Sequence, residues 1–168
     1  MRRACLPALL LLTGCTGLDP AAAYRQAARS LSFQLQAVHP RLELALPVER
    51  STLVLGLDLG IRNPSALRLA ARSLGGAIHL QSGGEGFPLG QIRFPAGVDL
   101  EAGSTRTVRA ELRLPYADVR RAWKALEAVA LRGAAGTWSL EGRATLDVLG
   151  LPLDLPLRSS LRSGSPAP

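Results

Sequence analysis

Two histidines and thirteen carboxylates are the side chains from which acid–base or metal chemistry could be built in this chain of 168 residues. His39 stands directly before Pro40 at the end of an alternating stretch, and His79 falls on the polar parity of another. A zinc site needs three or four ligands at short, recurring spacings, and neither histidine has such neighbours, so both read as surface residues. No G-x-S-x-G turn is present to expose a nucleophilic serine. Gly84-Glu-Gly86 imitates a phosphate loop, but the third glycine comes at Gly90 and Pro88 stands where a helix should start; a hairpin turn fits better. Asn63-Pro64-Ser65 cannot accept an N-linked glycan, because proline occupies the middle position. Asp58, Glu111, Glu141 and Asp147 alternate outward beside arginines, the pattern of cross-strand ion pairs. No catalytic, cofactor or metal site is expected.

The cysteines carry a different chemistry. Arg2 and Arg3 precede a nine-residue apolar run, residues 4–12, interrupted once by Pro7. That run is too short to span a bilayer but fits the apolar core of a secretion signal. Leu12-Thr13-Gly14-Cys15 follows and resembles a bacterial lipobox, in which cleavage falls before the cysteine and the thiol takes a lipid. Cys5 would leave with residues 1–14, and Cys15 would remain as a lone thiol, unable to form an internal disulfide. Lipidation explains it, and more than one acyl chain suffices for stable anchoring. Thr16, not aspartate, follows Cys15, which points to the outer membrane in a double-membraned bacterium.

Hydrophobic residues make up 47% of the chain and charged residues 20%, the balance of a folded globule. The formal charge is +7, and without Arg2 and Arg3 the count is 18 basic against 13 acidic residues. The bases are scattered among acids along the strands, without the clusters of nucleic-acid binders, so no nucleic-acid partner is expected. Weak attraction to anionic headgroups is compatible with this balance.

The elements that position these residues are mostly strands. In residues 52–64, Leu53, Leu55, Leu57, Leu59 and Ile61 fall on every second position, and Asn63-Pro64 ends the run. Similar period-two stretches cover 33–37, 42–46, 67–81 (one or two strands), 104–114, 138–148 and 151–157, with short pieces near 91–94 and 98–100. Pro152 and Pro156 on one parity mark the last stretch as an edge strand. Apolar spacings of three and four through Val119, Ala122, Trp123, Leu126 and Val129 predict one helix over 117–132, ended by Gly133. Its stripe should cover one end of the sheet, with Trp123 near Trp138. Asp19-Pro20 predicts a short helix over 20–29, expected as part of a spacer over residues 15–31. Seven or more short strands imply an antiparallel sandwich over 32–161, with 162–168 as a loose, disordered tail.

The order of these features resembles the WHy (water stress and hypersensitive response) domain of late-embryogenesis-abundant (LEA) type 2 proteins. The resemblance rests on the strand ending at Asn63-Pro64, the glycines of 83–90, the strand–helix unit of 108–132, Trp138-Ser-Leu-Glu-Gly142 and Leu151-Pro-Leu-Asp-Leu-Pro156. It implies a mainly β, fibronectin- or immunoglobulin-like sandwich with one helix before the last strands, in which Asn63 and Pro64 are structural. It also implies a non-enzymatic role in tolerance of desiccation. With Cys15, the expectation is a lipid-anchored envelope protein whose partners are a membrane and client proteins or lipids. The alternative is a lipid- or hydrophobic-ligand-binding module, its groove lying between leucine-rich sheets.

Overall fold

A computed structural model describes residues 19–164. Cys15 with its lipobox, residues 1–14 and the final residues 165–168 lie outside them.

The predicted central strand forms β2, Thr52–Arg62, and all five alternating apolar residues from Leu53 to Ile61 are fully buried. It pairs antiparallel with β1, Ser32–Glu43, on one side and with β6, Thr105–Pro115, on the other. The second sheet has five strands. β3, Leu69–Ser82, pairs with β4, Glu85–Arg93, with the short β5, Val98–Leu100, and with β7, Gly136–Val148. β8, Leu151–Ser163, closes the edge beyond β7, as its prolines predict. The inward faces of the two antiparallel sheets share one core built largely of leucine. Its fully buried members include Leu35, Leu57, Ile78, Leu100, Trp138 and Leu140. The edges meet at a corner where β1 touches β8, and Leu35 N–H donates to Ser159 Oγ at 2.7 Å.

Several expectations need correction. The chain does not end a strand at His39-Pro40: β1 runs through Pro40, which an edge strand tolerates. Its register slips between Leu35 and Ala37, so a bulge at Gln36 reverses which parity faces inward. Ala37 thereby pairs with outward-facing Asp58 and not with a core position, while Val38 and Leu42 turn toward the core. The inward places expected for Leu44 and Leu46 do not exist, because β1 has ended and both are exposed. The stretch over 67–81, read as one or two strands, is the single β3, which continues through a second bulge between Ala71 and Ser73.

The predicted helix over 117–132 is broken in two. α2, Tyr116–Val119, is separated by a turn at residues 120–122 from α3, Trp123–Arg132. Val119, Ala122 and Trp123 are all buried, as their spacing predicts, even though the helix is interrupted between them. The aromatic partner of Trp123 is Tyr116, edge-to-face with ring centroids 5.0 Å apart, and not Trp138. Gly133 caps α3 in the left-handed conformation, as expected.

The first helix, α1, spans Pro20–Arg29, and Asp19 caps it by accepting from Ala21 N–H at 3.0 Å. It is not a free spacer: it packs on β7 and β8, and Ala27 and Ala28 are buried in the core. β8 also runs past 161. Ser163 Oγ accepts from Trp138 Nε1 at 3.1 Å and donates to Gly136 O at 3.2 Å, tying the strand's end to β7.

Candidate functional site

Asn63 is the most connected polar side chain among the described residues. It follows the last residue of β2, is fully buried, and its backbone N–H donates to Ser104 O at 2.8 Å. Its Nδ2 lies 2.8, 3.0 and 3.1 Å from the carbonyls of Leu67, Leu100 and Glu101, and its Oδ1 accepts from Ser65 N–H and Oγ–H. One amide thus ties the end of β2, the loop into β3 and the end of β5 together. Leu100 and Glu101 are 37 and 38 residues away in sequence, so only the turn at Ser65 is legible locally. Pro64 stands exposed beside it and ends the strand. Both ends of the Asn63 amide are thus hydrogen-bonded, Nδ2 to backbone carbonyls and Oδ1 to the N–H and hydroxyl of Ser65.

The outer face of the three-stranded sheet carries the other polar cluster. Asp58 on β2 accepts from Arg109 on β6 through both oxygens, with Nε at 2.6 Å and a second guanidinium nitrogen at 2.9 Å. His39 Nε2 on β1 lies 3.3 Å from Oδ2 of the same carboxylate. The Arg109 hydrogen bonds hold the Asp58 pKa down at about 2, with His39 adding to the effect and partial burial opposing it. Gly56, across from His39 and Glu111, floors a shallow depression of about 320 Å³ beside this cluster, with Arg41 on its rim. A carboxylate orienting a histidine is one half of a nucleophile-activating arrangement. The lining of the depression includes no serine, threonine or cysteine that could be the other half.

The remaining predicted carboxylates are placed as follows. Asp147 pairs with Arg72, which lies in the β3 bulge, and the guanidinium holds its pKa down. Glu111 pairs with Arg113 at 3.5 Å, and Arg113 also reaches Glu43. Glu141 forms no ion pair among the described residues. His79, exposed in part, takes no part in the Asp58 cluster. No group of three or more His, Cys, Asp or Glu side chains able to hold a metal occurs among the described residues, and none of their helices is long and apolar enough to cross a membrane.

What the sequence did not reveal is the pole where β1 hands over to β2. Leu44 and Leu46 are 66% and 92% exposed there, and Val48 is also exposed. Read on period two, Leu44 and Leu46 pass for buried strand positions.

These features define an antiparallel β-sandwich module with a filled leucine core, a structural asparagine at one end and an ion-paired outer face. The chain belongs to the late embryogenesis abundant (LEA_2) family, whose profile matches residues 58–160. A solution structure of an Arabidopsis thaliana protein is similar at 16% identity and a TM-score of 0.52, over 80% of this chain and 82% of that one. A crystal structure of a protein from Archaeoglobus fulgidus aligns over 79% of this chain and 98% of that one, at 14% identity and a TM-score of 0.44. A solution structure described as a late embryogenesis abundant (LEA) protein aligns over 84% of this chain and 79% of that one, at 12% identity and a TM-score of 0.44. No curated protein matches the chain.

Proposed function

We propose that this chain is a non-enzymatic envelope lipoprotein, lipidated at Cys15, that protects membranes or membrane-bound proteins during water loss. Family membership over residues 58–160 is the observation that carries the protective role. The tether rests on Leu12-Thr13-Gly14-Cys15 in the sequence. The arrangement of polar groups supports surface contact over reaction. Asn63 spends its bonds on backbone and on Ser65, and Asp58 spends its own on Arg109 and His39, so neither is left to meet a substrate. The alternative, a hydrophobic ligand held between the sheets, would have to displace leucines such as Leu55, Leu57 and Leu140, which fill that space. Labelling cells with radioactive palmitate tests the tether. Wild-type protein should take up label and Cys15→Ala should not. Equal labelling of both, or of neither, contradicts the assignment.

A further inference from the structure

The connection from β1 to β2 presents leucine to solvent without being loose. Between Glu43 and Thr52, Leu44, Leu46 and Val48 are exposed, Leu46 at 92%. Scattered single leucines on a surface need no explanation; three in five residues on one protruding connection do. Ser51 holds the connection in shape. It is 1% exposed, its Oγ accepts from Ala45 N–H at 3.0 Å, and its carbonyl accepts from Tyr116 N–H at 3.0 Å. The 3-10 turn Val48–Arg50 packs on α2, so the apolar connection and the α2–α3 corner form one pole of the sandwich.

That corner is basic. Arg50, Arg120, Arg121 and Lys124 are all exposed there, and none has a carboxylate partner among the described residues. Glu49, Asp118 and Glu127 lie on the same elements and are likewise without ion-pair partners among the described residues, so these four bases exceed the three acids by one charge. On the outer face of the three-stranded sheet Arg41, Arg109 and Arg113 are paired with Glu43, Asp58 and Glu111, while Arg62 at the far end of β2 is exposed without a carboxylate partner among the described residues, so the pole is set apart by its bases standing beside exposed leucines. Exposed leucine side chains on a pole that also carries exposed bases, with acids one fewer, match the two layers of an anionic bilayer surface: acyl boundary for the leucines, headgroups for the bases.

We propose that this pole docks on an anionic lipid surface, with Leu44 and Leu46 inserted and Arg50, Arg120, Arg121 and Lys124 on the headgroups. The proposal rests on the membrane-tethered reading for its setting, and adds that the domain lies against the membrane by a defined face. Docking would orient the folded domain in addition to the hold supplied by the lipid.

The test uses Leu46→Trp protein with vesicles of phosphatidylglycerol and phosphatidylcholine that carry brominated acyl chains. Wild-type protein, with Trp123 and Trp138 buried, sets the baseline. Leu149→Trp is the comparison, since Leu149 is 59% exposed at the opposite end, in the β7–β8 turn. The expected result is a blue shift and quenching for Leu46→Trp, weakened by salt, and no change for Leu149→Trp. Leu44→Gln with Leu46→Gln should weaken vesicle binding about tenfold or more, as should Arg120→Gln with Arg121→Gln. The same signals should survive in a Cys15→Ala background at higher lipid concentration. Quenching without palmitate uptake would overturn the tether and leave the docking face standing. Unquenched Leu46→Trp in lipidated protein, or equal quenching at position 149, overturns the proposal. So does a dimer in lipid-free solution that Leu44→Gln with Leu46→Gln dissolves, which would give the pole to a second copy of the chain.

Discussion

Arg109 grips Asp58 with two nitrogens across the β2–β6 ladder, at 2.6 and 2.9 Å, on a face where most neighbouring side chains are exposed. The geometry is bidentate and the carboxylate is largely shielded, with 13% of its side chain exposed. Such a pair contributes more than an ordinary surface ion pair, though the exposed guanidinium remains screened by solvent.

Asp58 therefore links stability to pH. Its folded pKa, about 2, lies below the ordinary carboxylate value, so its contribution is present above that ordinary value and is lost as pH falls through about 2. Asp58→Asn should cost about 1 kcal/mol at neutral pH, after discounting for solvent screening. Urea unfolding of both proteins at pH 7 and near pH 2 checks this. The difference between them should shrink toward zero at the acid end, and a difference that stays constant with pH contradicts the assignment.

Asn63→Ala should remove the donor to three carbonyls at once and destabilise the fold by about 3 kcal/mol. Asn63→Asp supplies a matching shape with the wrong chemistry. An ionised carboxylate among the carbonyls of Leu67, Leu100 and Glu101 cannot donate and is buried unpaired. Its pKa should be raised, so that variant should lose stability as pH rises above the ordinary carboxylate range. Thermal melts from pH 4 to 8 distinguish the two: the alanine variant should be flat and the aspartate variant should decline.

Gly142 marks the closest approach of β7 to β3. A Cβ there would run into the backbone of Gly75 and Gly76, which cannot move without parting the strands. Gly142→Ala should cost about 2 kcal/mol or more. Gly86 on β4 has open space around it, and Gly86→Ala should stay within about 0.5 kcal/mol of wild type. Denaturant midpoints of the pair measure the contrast.

Leu149 is the one described residue other than glycine with positive φ, at 54°, in the turn between β7 and β8. Bulky side chains are disfavoured there, and this one is exposed, so little burial offsets the strain. Leu149→Gly should raise stability by about 0.5–1 kcal/mol. A lowered melting temperature would show that the leucine contributes a contact that outweighs its backbone strain.

Much of this architecture is legible in the sequence, for local reasons. The β2 stripe, the Gly83-Gly84 hairpin with both residues at positive φ, the Asp19 and Gly133 caps and the edge character of β8 each follow from residue type at a fixed offset. What escapes is whatever depends on distant chain. A one-residue bulge at Gln36 leaves the composition unchanged yet reverses the parity, and Leu44 and Leu46 continue the inward parity of Leu42 in sequence although β1 ends at Glu43. The turn at residues 120–122 interrupts a periodicity that reads as one helix, and α1 looks free until β7 and β8 are placed beneath Ala27 and Ala28. The Asn63-Pro64 break is visible, but two of the three carbonyls that Asn63 holds, those of Leu100 and Glu101, arrive only with the end of β5.

Survival of cells after drying tests the protective role at the membrane most directly. Cells lacking this protein should survive markedly less well than their parent. Wild-type protein should restore survival, and Cys15→Ala protein, made in equal amount, should not. Equal survival with and without the protein contradicts the account.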